Sequence, residues 1–191
     1  MKKELAYQMI KYEQYLYDKY MFPSLGRRYM GMVKHEPIHR IKRWQRYARL
    51  TDYYYEKTSE SSNIISKILY VLYIRKRNTI AERLGLEIET KNIGKGLFVY
   101  HFNNVINGSS IIGENLHLHG GNVIGNAGPH DDRCPIIGNN VMLGAGAKVI
   151  GAIRIADNVK IAAGAVVVKD VLEPGCTVAG VPAKIVKHAN S

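Results

Sequence analysis

The side chains able to do chemistry in this chain gather between positions 101 and 134: His101, His117 and His119, then Asp132, Arg133 and Cys134. Histidine suits proton transfer because its ordinary pKa lies near neutral pH. His117 and His119, in HLHGG, are two positions apart and share a face if they lie on a strand. That spacing could hold zinc, but no metal is expected. A thiolate nucleophile at Cys134 would need a base or cation beside it. Arg133 and His130 are close in sequence.

The elements that must position these groups are set by a repeat. Ile137, Leu143, Val149, Ile155, Ile161 and Val167 follow one another at six-residue intervals. Ile93, Val99, Val105 and Ile111 form an earlier run, and Ile112, Leu118 and Ile124 resume it one residue out of phase. A period of six fits neither the 3.6 of a helix nor sustained strand alternation. It fits short strands joined by corners, with one aliphatic side chain per strand pointing inward. Small residues follow many of these aliphatics: Gly94, Gly113, Gly125, Gly138, Gly144, Ala156 and Ala162. They suit corners. Three such segments make one triangular coil, and stacked coils bury a continuous core. Residues 126–136, NAGPHDDRCPI, interrupt the beat and read as a loop extruded from the stack.

The chain has 191 residues and a formal net charge of +11. Residues 1–86 hold 18 Lys/Arg against 8 Asp/Glu, whereas residues 87–191 hold 9 against 8. Eleven of the 13 tyrosines precede residue 72. The composition therefore divides the chain into a helical N-terminal domain, residues 1–86, and a repeat domain, residues 87–191, with the inserted loop and a C-terminal tail. Three helices are expected in the first part: the first 20 residues, HRIKRWQRYARLTDYYYE, and IISKILYVLYIRKRNTIAERL. Pro23 and Gly26 punctuate the first, Ser61 or Ser62 caps the third, and Gly85 ends it. No stretch approaches the ~20 apolar residues of a membrane span, and the N-terminus lacks the apolar core of a secretory signal. Cys134 and Cys176 stand alone, which points to a reduced, cytoplasmic protein.

The segments NIGKGLFVYHFNNVINGSSIIGENLHLHGGNVIG, DDRCPIIGNNVMLGAGAKVIGAIRIADNVKIAAGAVVVKDV and AGVPAKIV resemble the hexapeptide-repeat acyltransferases. They look like the serine O-acetyltransferase branch and the related O-acetyltransferases of bacterial polysaccharide gene clusters. RWQRYARLTDYYYE, ILYVLYIRKR and LGLEI look more like the latter group. The resemblance implies a mainly β fold, a left-handed parallel β-helix with an α-helical N-terminal domain. It implies acetyl transfer from acetyl-CoA to a hydroxyl, and a homotrimer. A hydroxyl is a weak nucleophile, so a base must take its proton. His101, in VYHFNN, matches the family's catalytic histidine. Its orienting partner is unassigned: counting back reaches Leu86, with Glu87 and Glu89 nearby, and Tyr100 stands where the family has aspartate.

By the same resemblance Gly125 and Asn126, in NVIGN, match the family's glycine pair, a turn able to hold the oxyanion. Asn126 then also meets the cofactor. Gly144, Ala145, Ala162 and Ala163 match the pantetheine contacts of coenzyme A, and Lys184 could meet a CoA phosphate. His119 is placed in the acceptor pocket. The loop carries Asp132, Arg133 and Cys134 where serine acetyltransferases have Asp-Arg-His. Arg133 could still grip an anion or a sugar hydroxyl, whereas a thiol is a weak donor to a carboxylate. The expected acceptor is therefore a sugar of a bacterial surface polysaccharide or its precursor, with free serine as the alternative. Direct transfer needs no acyl-enzyme, so Cys134 is expected to line the pocket. The basic N-terminal part could instead serve a membrane surface or a charged scaffold. A helical cap contacting neighbouring subunits is the expected role, with no nucleic-acid partner.

Overall fold

The structure, a computed structural model, describes residues 3–22, 24–34, 36–60, 63–129 and 131–189. The chain divides into two compact units, Met1–Leu84 and Gly85–Ser191.

The first unit is helical: α1 (Lys3–Met21), α2 (Leu25–Val33), α3 (Pro37–Glu60) and α4 (Ile64–Leu84). Trp44, Ile41 and Ala48 of α3 pack with Ala6 and Tyr17 of α1, all nearly fully buried. Between them Arg49 reaches Glu13 at 2.6 Å, with both side chains at most 2% exposed. Removing one partner of such a pair costs several kcal/mol, about 3–5, because the other charge stays buried. α2 was not foreseen. It contains Gly26 and Gly31, poor helix formers, but Ser24 caps it by accepting from the Arg27 N–H at 3.2 Å. The expected punctuation at Pro23 and the cap at Ser61 or Ser62 lie outside the described residues. Gly85, at φ +60°, follows the last residue of α4 as expected. Ile64, Ile65, Ile68 and Leu72 recur at helical spacing, yet in the single chain they are exposed.

The second unit is a left-handed parallel β-helix. Its strands are β1 (Glu87–Ile88), β2 (Phe98–Val99), β3 (Val105–Ile106), β4 (Ile111–Ile112), β5 (His117–Leu118), β6 (Val123–Gly125) and β7 (Ile136–Ile137). They continue as β8 (Met142–Leu143), β9 (Lys148–Ile150), β10 (Arg154–Ile155), β11 (Lys160–Ile161), β12 (Val166–Val167), β13 (Thr177–Gly180) and β14 (Ala183–Lys187). Three faces result: β1-β3-β6-β9-β12, β4-β7-β10, and β2-β5-β8-β11-β13, the last closed by antiparallel β14. One aliphatic per strand fills the core, among them Val99, Leu118, Ile124, Leu143, Val149 and Ile161, each at most 1% exposed.

The structure corrects the register of the first coils. Ile106 and Ile112 point inward, at 3% and 4% exposure, whereas Ile111 is 56% exposed and Val105 is half-buried. The slip therefore falls between Val99 and Ile106, not after Ile111. Those two core residues are seven positions apart, one more than the repeat. The extra residue lies in the corner that carries His101.

The second irregularity is the loop. Ile124 and Ile137 lie thirteen apart on consecutive sides, so the loop adds seven residues to one side. A third edge is held differently. There Gly94, Gly113 and Gly138 stack so tightly that a Cβ on Gly94 would stand 2.7 Å from the Gly113 carbonyl oxygen. Asn115, Asn140 and Asn158, all at φ near +60°, form a ladder beside them through Nδ2–H···Oδ1 bonds of 2.9 and 3.1 Å.

Candidate active site

Four corners stack along the edge where the β2-β5-β8-β11 face turns into the β3-β6-β9-β12 face. They are residues 100–104, 119–122, 144–147 and 162–165. Rungs join them: the Gly121 N–H donates to Phe102 O (3.0 Å), Gly146 N–H to Gly120 O (2.8 Å) and Gly164 N–H to Ala145 O (2.9 Å). This edge brings together His101, His119, Gly144, Ala145, Ala162 and Ala163. His101, Ala145 and Ala163 are exposed. The histidine thus heads a track of backbone with little side chain on it. Gly144 has a packing reason of its own, since a Cβ there would lie 2.5 Å from the Ala163 nitrogen.

The corner under His101 is held by two asparagines that the sequence reading did not single out. Asn104 and Asn122 are fully buried. Asn104 Nδ2 donates to the His101 carbonyl at 2.8 Å, and Asn104 Oδ1 accepts the Asn122 N–H at 3.1 Å. Asn122 Oδ1 accepts the Gly120 N–H at 3.0 Å, while its Nδ2 donates to Gly144 O at 2.7 Å. Three successive corners are tied by two side chains. A signal for them existed: HFNN and HGGN end in asparagine eighteen residues, or three sides, apart.

Aromatic rings cover the adjoining face. Tyr100 and His119 occupy equivalent corner positions on neighbouring coils and stack at 4.4 Å with an interplanar angle of 12°. The Tyr100 hydroxyl lies 3.2 Å from His117 Nδ1. Burial, and then the charge of His119, pull the His117 pKa below its ordinary value. His117 and His119 do share a face. Among the described residues no group of three His, Cys, Asp or Glu side chains could hold a metal. Neither Glu87 nor Glu89 is shown orienting His101: Glu87 pairs with Val105, and Glu89 lies against Gly108 on the next edge. Among the described residues no side chain hydrogen-bonds the His101 ring.

Gly125, Asn126 and the loop occupy that next edge. Gly125 is buried, its carbonyl accepts the Gly151 N–H at 2.8 Å, and a Cβ there would meet only Asn107 Cβ at 3.6 Å. That is ordinary contact, so the chain's own packing does not demand glycine. The Asn126 side chain anchors the loop, donating to Gly128 O (2.7 Å) and Asp131 O (2.9 Å) and accepting from Asn107 Nδ2 (3.1 Å). Arg133 is 74% exposed and grips Asp131 with two bonds of 2.8 Å, which hold the Asp131 carboxyl below its ordinary range. Asp131 is thus the aspartate that positions Arg133. Cys134 is half-buried, and its thiol faces the Asp132 carbonyl at 3.6 Å. Lys184 is exposed on β14.

Within one chain the histidine edge and the loop edge are not brought together. They are separated by a side of six residues, His101 to Asn107, which spans up to about 20 Å of extended backbone.

Residues 134–169 match the family described as bacterial transferase hexapeptide (six repeats). No curated protein sequence matches the chain. Among solved structures, Neisseria gonorrhoeae serine acetyltransferase is similar at 29% identity and a TM-score of 0.71, over 98% of this chain and 68% of that one. Serine acetyltransferase from Brucella abortus strain S19, in complex with coenzyme A, is 25% identical with a TM-score of 0.73, over 97% and 69%. The soybean serine acetyltransferase apoenzyme, at 23% identity and a TM-score of 0.73 over 96% and 70%, shares the fold. The chain carries the hexapeptide repeat of the bacterial transferases, built into the architecture of the serine acetyltransferases.

Proposed function

We propose that this protein is an acetyl-CoA-dependent O-acetyltransferase with His101 as general base. The observation that carries the reading is the exposed His101 on a lengthened corner, at the head of an edge of small residues. Backbone at Gly144, Ala145, Ala162 and Ala163 offers a close approach to pantetheine, and Lys184 a charge for a CoA phosphate. His101 takes the proton of the acceptor hydroxyl as its oxygen bonds to the thioester carbonyl carbon. Backbone at Gly125 holds the oxyanion. The C–S bond then breaks, and the proton passes to the departing thiolate. His101→Ala should abolish CoA thiol release with an unchanged circular dichroism spectrum. Turnover retained within tenfold would remove His101 as the base.

His101 and Gly125 lie on different edges of one chain, so they can act together only across a contact between copies. A trimer that sets the histidine edge of one copy against the loop edge of the next fits this requirement. For the acceptor, the similar structures support serine better than the polysaccharide sugar favoured by the sequence. The sugar reading retains two observations: Cys134 in the loop, and the Tyr100–His119 stack beside His101. Thiol release measured across serine, free sugars and nucleotide sugars separates the two.

A further inference from the structure

The helical unit contains a solvent-open groove of about 450 Å³, along which Arg40, Arg43, Arg46 and Arg83 are exposed, and acetyl transfer does not use it. Its volume falls in the range of small-ligand sites. Arg28, Arg40, Lys42, Arg43, Arg46 and Arg83 line it, and Glu36 is the one acid on its wall. Arg40, Arg43 and Arg46 recur at three-residue intervals along α3, so they share one helix face. Arg83 comes from α4. Lys42 and Arg28 share Asp18, at 2.5 and 3.5 Å, and Glu36 lies 3.7 Å from Arg27. Among the described residues Arg40, Arg43, Arg46 and Arg83 have no carboxylate partner. Like charges three apart on a helix repel one another, and among the described residues Glu36 is the one acid that lines the groove with them.

We propose that this groove binds a phosphate-bearing ligand with two or more phosphate charges, a diphosphate or bisphosphate group. Four guanidinium groups offer planar forks that match phosphate oxygens bidentately. Met32 and Ile80 supply apolar wall for the part of the ligand beyond the phosphates. His39 also lines the groove, and its Nε2 is buried without a hydrogen-bond partner. The group could belong to a soluble molecule or to a lipid headgroup. The site is independent of the acetyl-transfer reading.

The test uses the full chain and inorganic pyrophosphate as probe, followed by calorimetry and by the thermal unfolding midpoint. The double variant Arg43→Gln, Arg46→Gln should weaken pyrophosphate binding by at least about tenfold, as expected for lost charge-assisted bonds. Because it removes repulsion, it should also unfold at a higher temperature than the unaltered protein in phosphate-free buffer. A merely structural role would lower that temperature. Lys184→Ala should leave the part of pyrophosphate binding that the double variant removes unchanged, which separates this site from one for coenzyme A. In a second arm, vesicles of phosphatidylcholine with or without phosphatidylinositol bisphosphate are sedimented with the protein. Sedimentation lost in the double variant assigns the lipid headgroup as the source. A pyrophosphate shift without sedimentation assigns a soluble ligand. Binding to neither probe, binding unchanged in the double variant, or binding to single-stranded nucleic acid alone would overturn the proposal.

Discussion

Gly120 stands directly against His101: a Cβ built on Gly120 would lie 2.7 Å from the His101 Cβ. Gly120 also holds φ at +110°, a region that residues with side chains avoid. Two independent reasons therefore require glycine one coil away from the candidate base. Gly120→Ala should cost about 1–3 kcal/mol of stability. It should also displace His101, and a misplacement of about 1 Å can lower turnover ~100-fold. Thiol-release kinetics and thermal unfolding on the same sample check both effects. A variant that unfolds earlier yet keeps full turnover would show that the His101 position tolerates the change.

Asn122 carries the second half of that support. Its side chain joins Gly120, Gly144 and Ala147, and its own N–H reaches Asn104. Asn122→Ala would leave the half-buried Gly120 N–H without its partner, while the Gly144 carbonyl would keep only the Ala147 N–H at 3.1 Å. The expected loss is about 1–3 kcal/mol, the cost of that one orphaned donor. The denaturant midpoint, with its slope unchanged, measures it.

The six-residue beat in Leu143, Val149, Ile155 and Ile161 made the β-helix legible, because it runs unbroken and Ile155 and Ile161 stand alone beside polar or small neighbours. The register failed where that contrast failed. Val105-Ile106 and Ile111-Ile112 are aliphatic pairs, so either member could face the core, and only packing chose Ile106 and Ile112. The site was legible where a residue is exposed and chemically distinctive, as at His101. Asn104 and Asn122 escaped notice because asparagine at a corner looks like turn chemistry. Their role depends on burial between coils, which a local reading does not reveal. Asp132 is named by its match to the Asp-Arg-His motif, whereas the bond from Arg133 to Asp131 depends on how the loop turns and leaves no mark in the sequence. α2 was missed because its two glycines outweigh its cap in propensity alone.

Protonation of the aromatic face should be visible in acid. Burial and, secondarily, the His119 charge lower the His117 pKa. The folded protein therefore keeps His117 neutral where the unfolded ring, with its ordinary pKa of about 6.5, takes a proton. This contribution to stability is complete above about pH 6.5 and is lost as pH falls toward the folded pKa. His119→Gln removes the smaller cause and leaves burial. The His117 pKa should then rise but stay below the ordinary value, as read by NMR titration of the ring. A return to the ordinary value would make charge, not burial, the main cause.

Cys134 distinguishes a pocket wall from a nucleophile. Its thiol lies against a backbone carbonyl in the loop, and no base touches it among the described residues. Cys134→Ala should retain thiol release within about tenfold, because a packing residue changes binding more than the chemical step. Loss of turnover with intact folding would reinstate a covalent route.

Gly125 offers the sharpest test of the role given to the loop edge. No positive φ is recorded for it, and a Cβ there meets only Asn107 Cβ at 3.6 Å. Gly125→Ala should therefore fold with an unchanged unfolding midpoint. If backbone at this turn faces the reacting carbonyl, the added methyl group crowds the oxyanion, and turnover should fall by about 100-fold or more, the effect of losing one oxyanion donor. A corner glycine with no such role would give full turnover. Because His101 and Gly125 lie on different edges, mixing His101→Ala with Gly125→Ala before refolding should restore part of the activity. In mixed assemblies some sites draw both unaltered residues from different copies. No recovery on mixing, with both variants folded and assembled, would place the whole site within one chain.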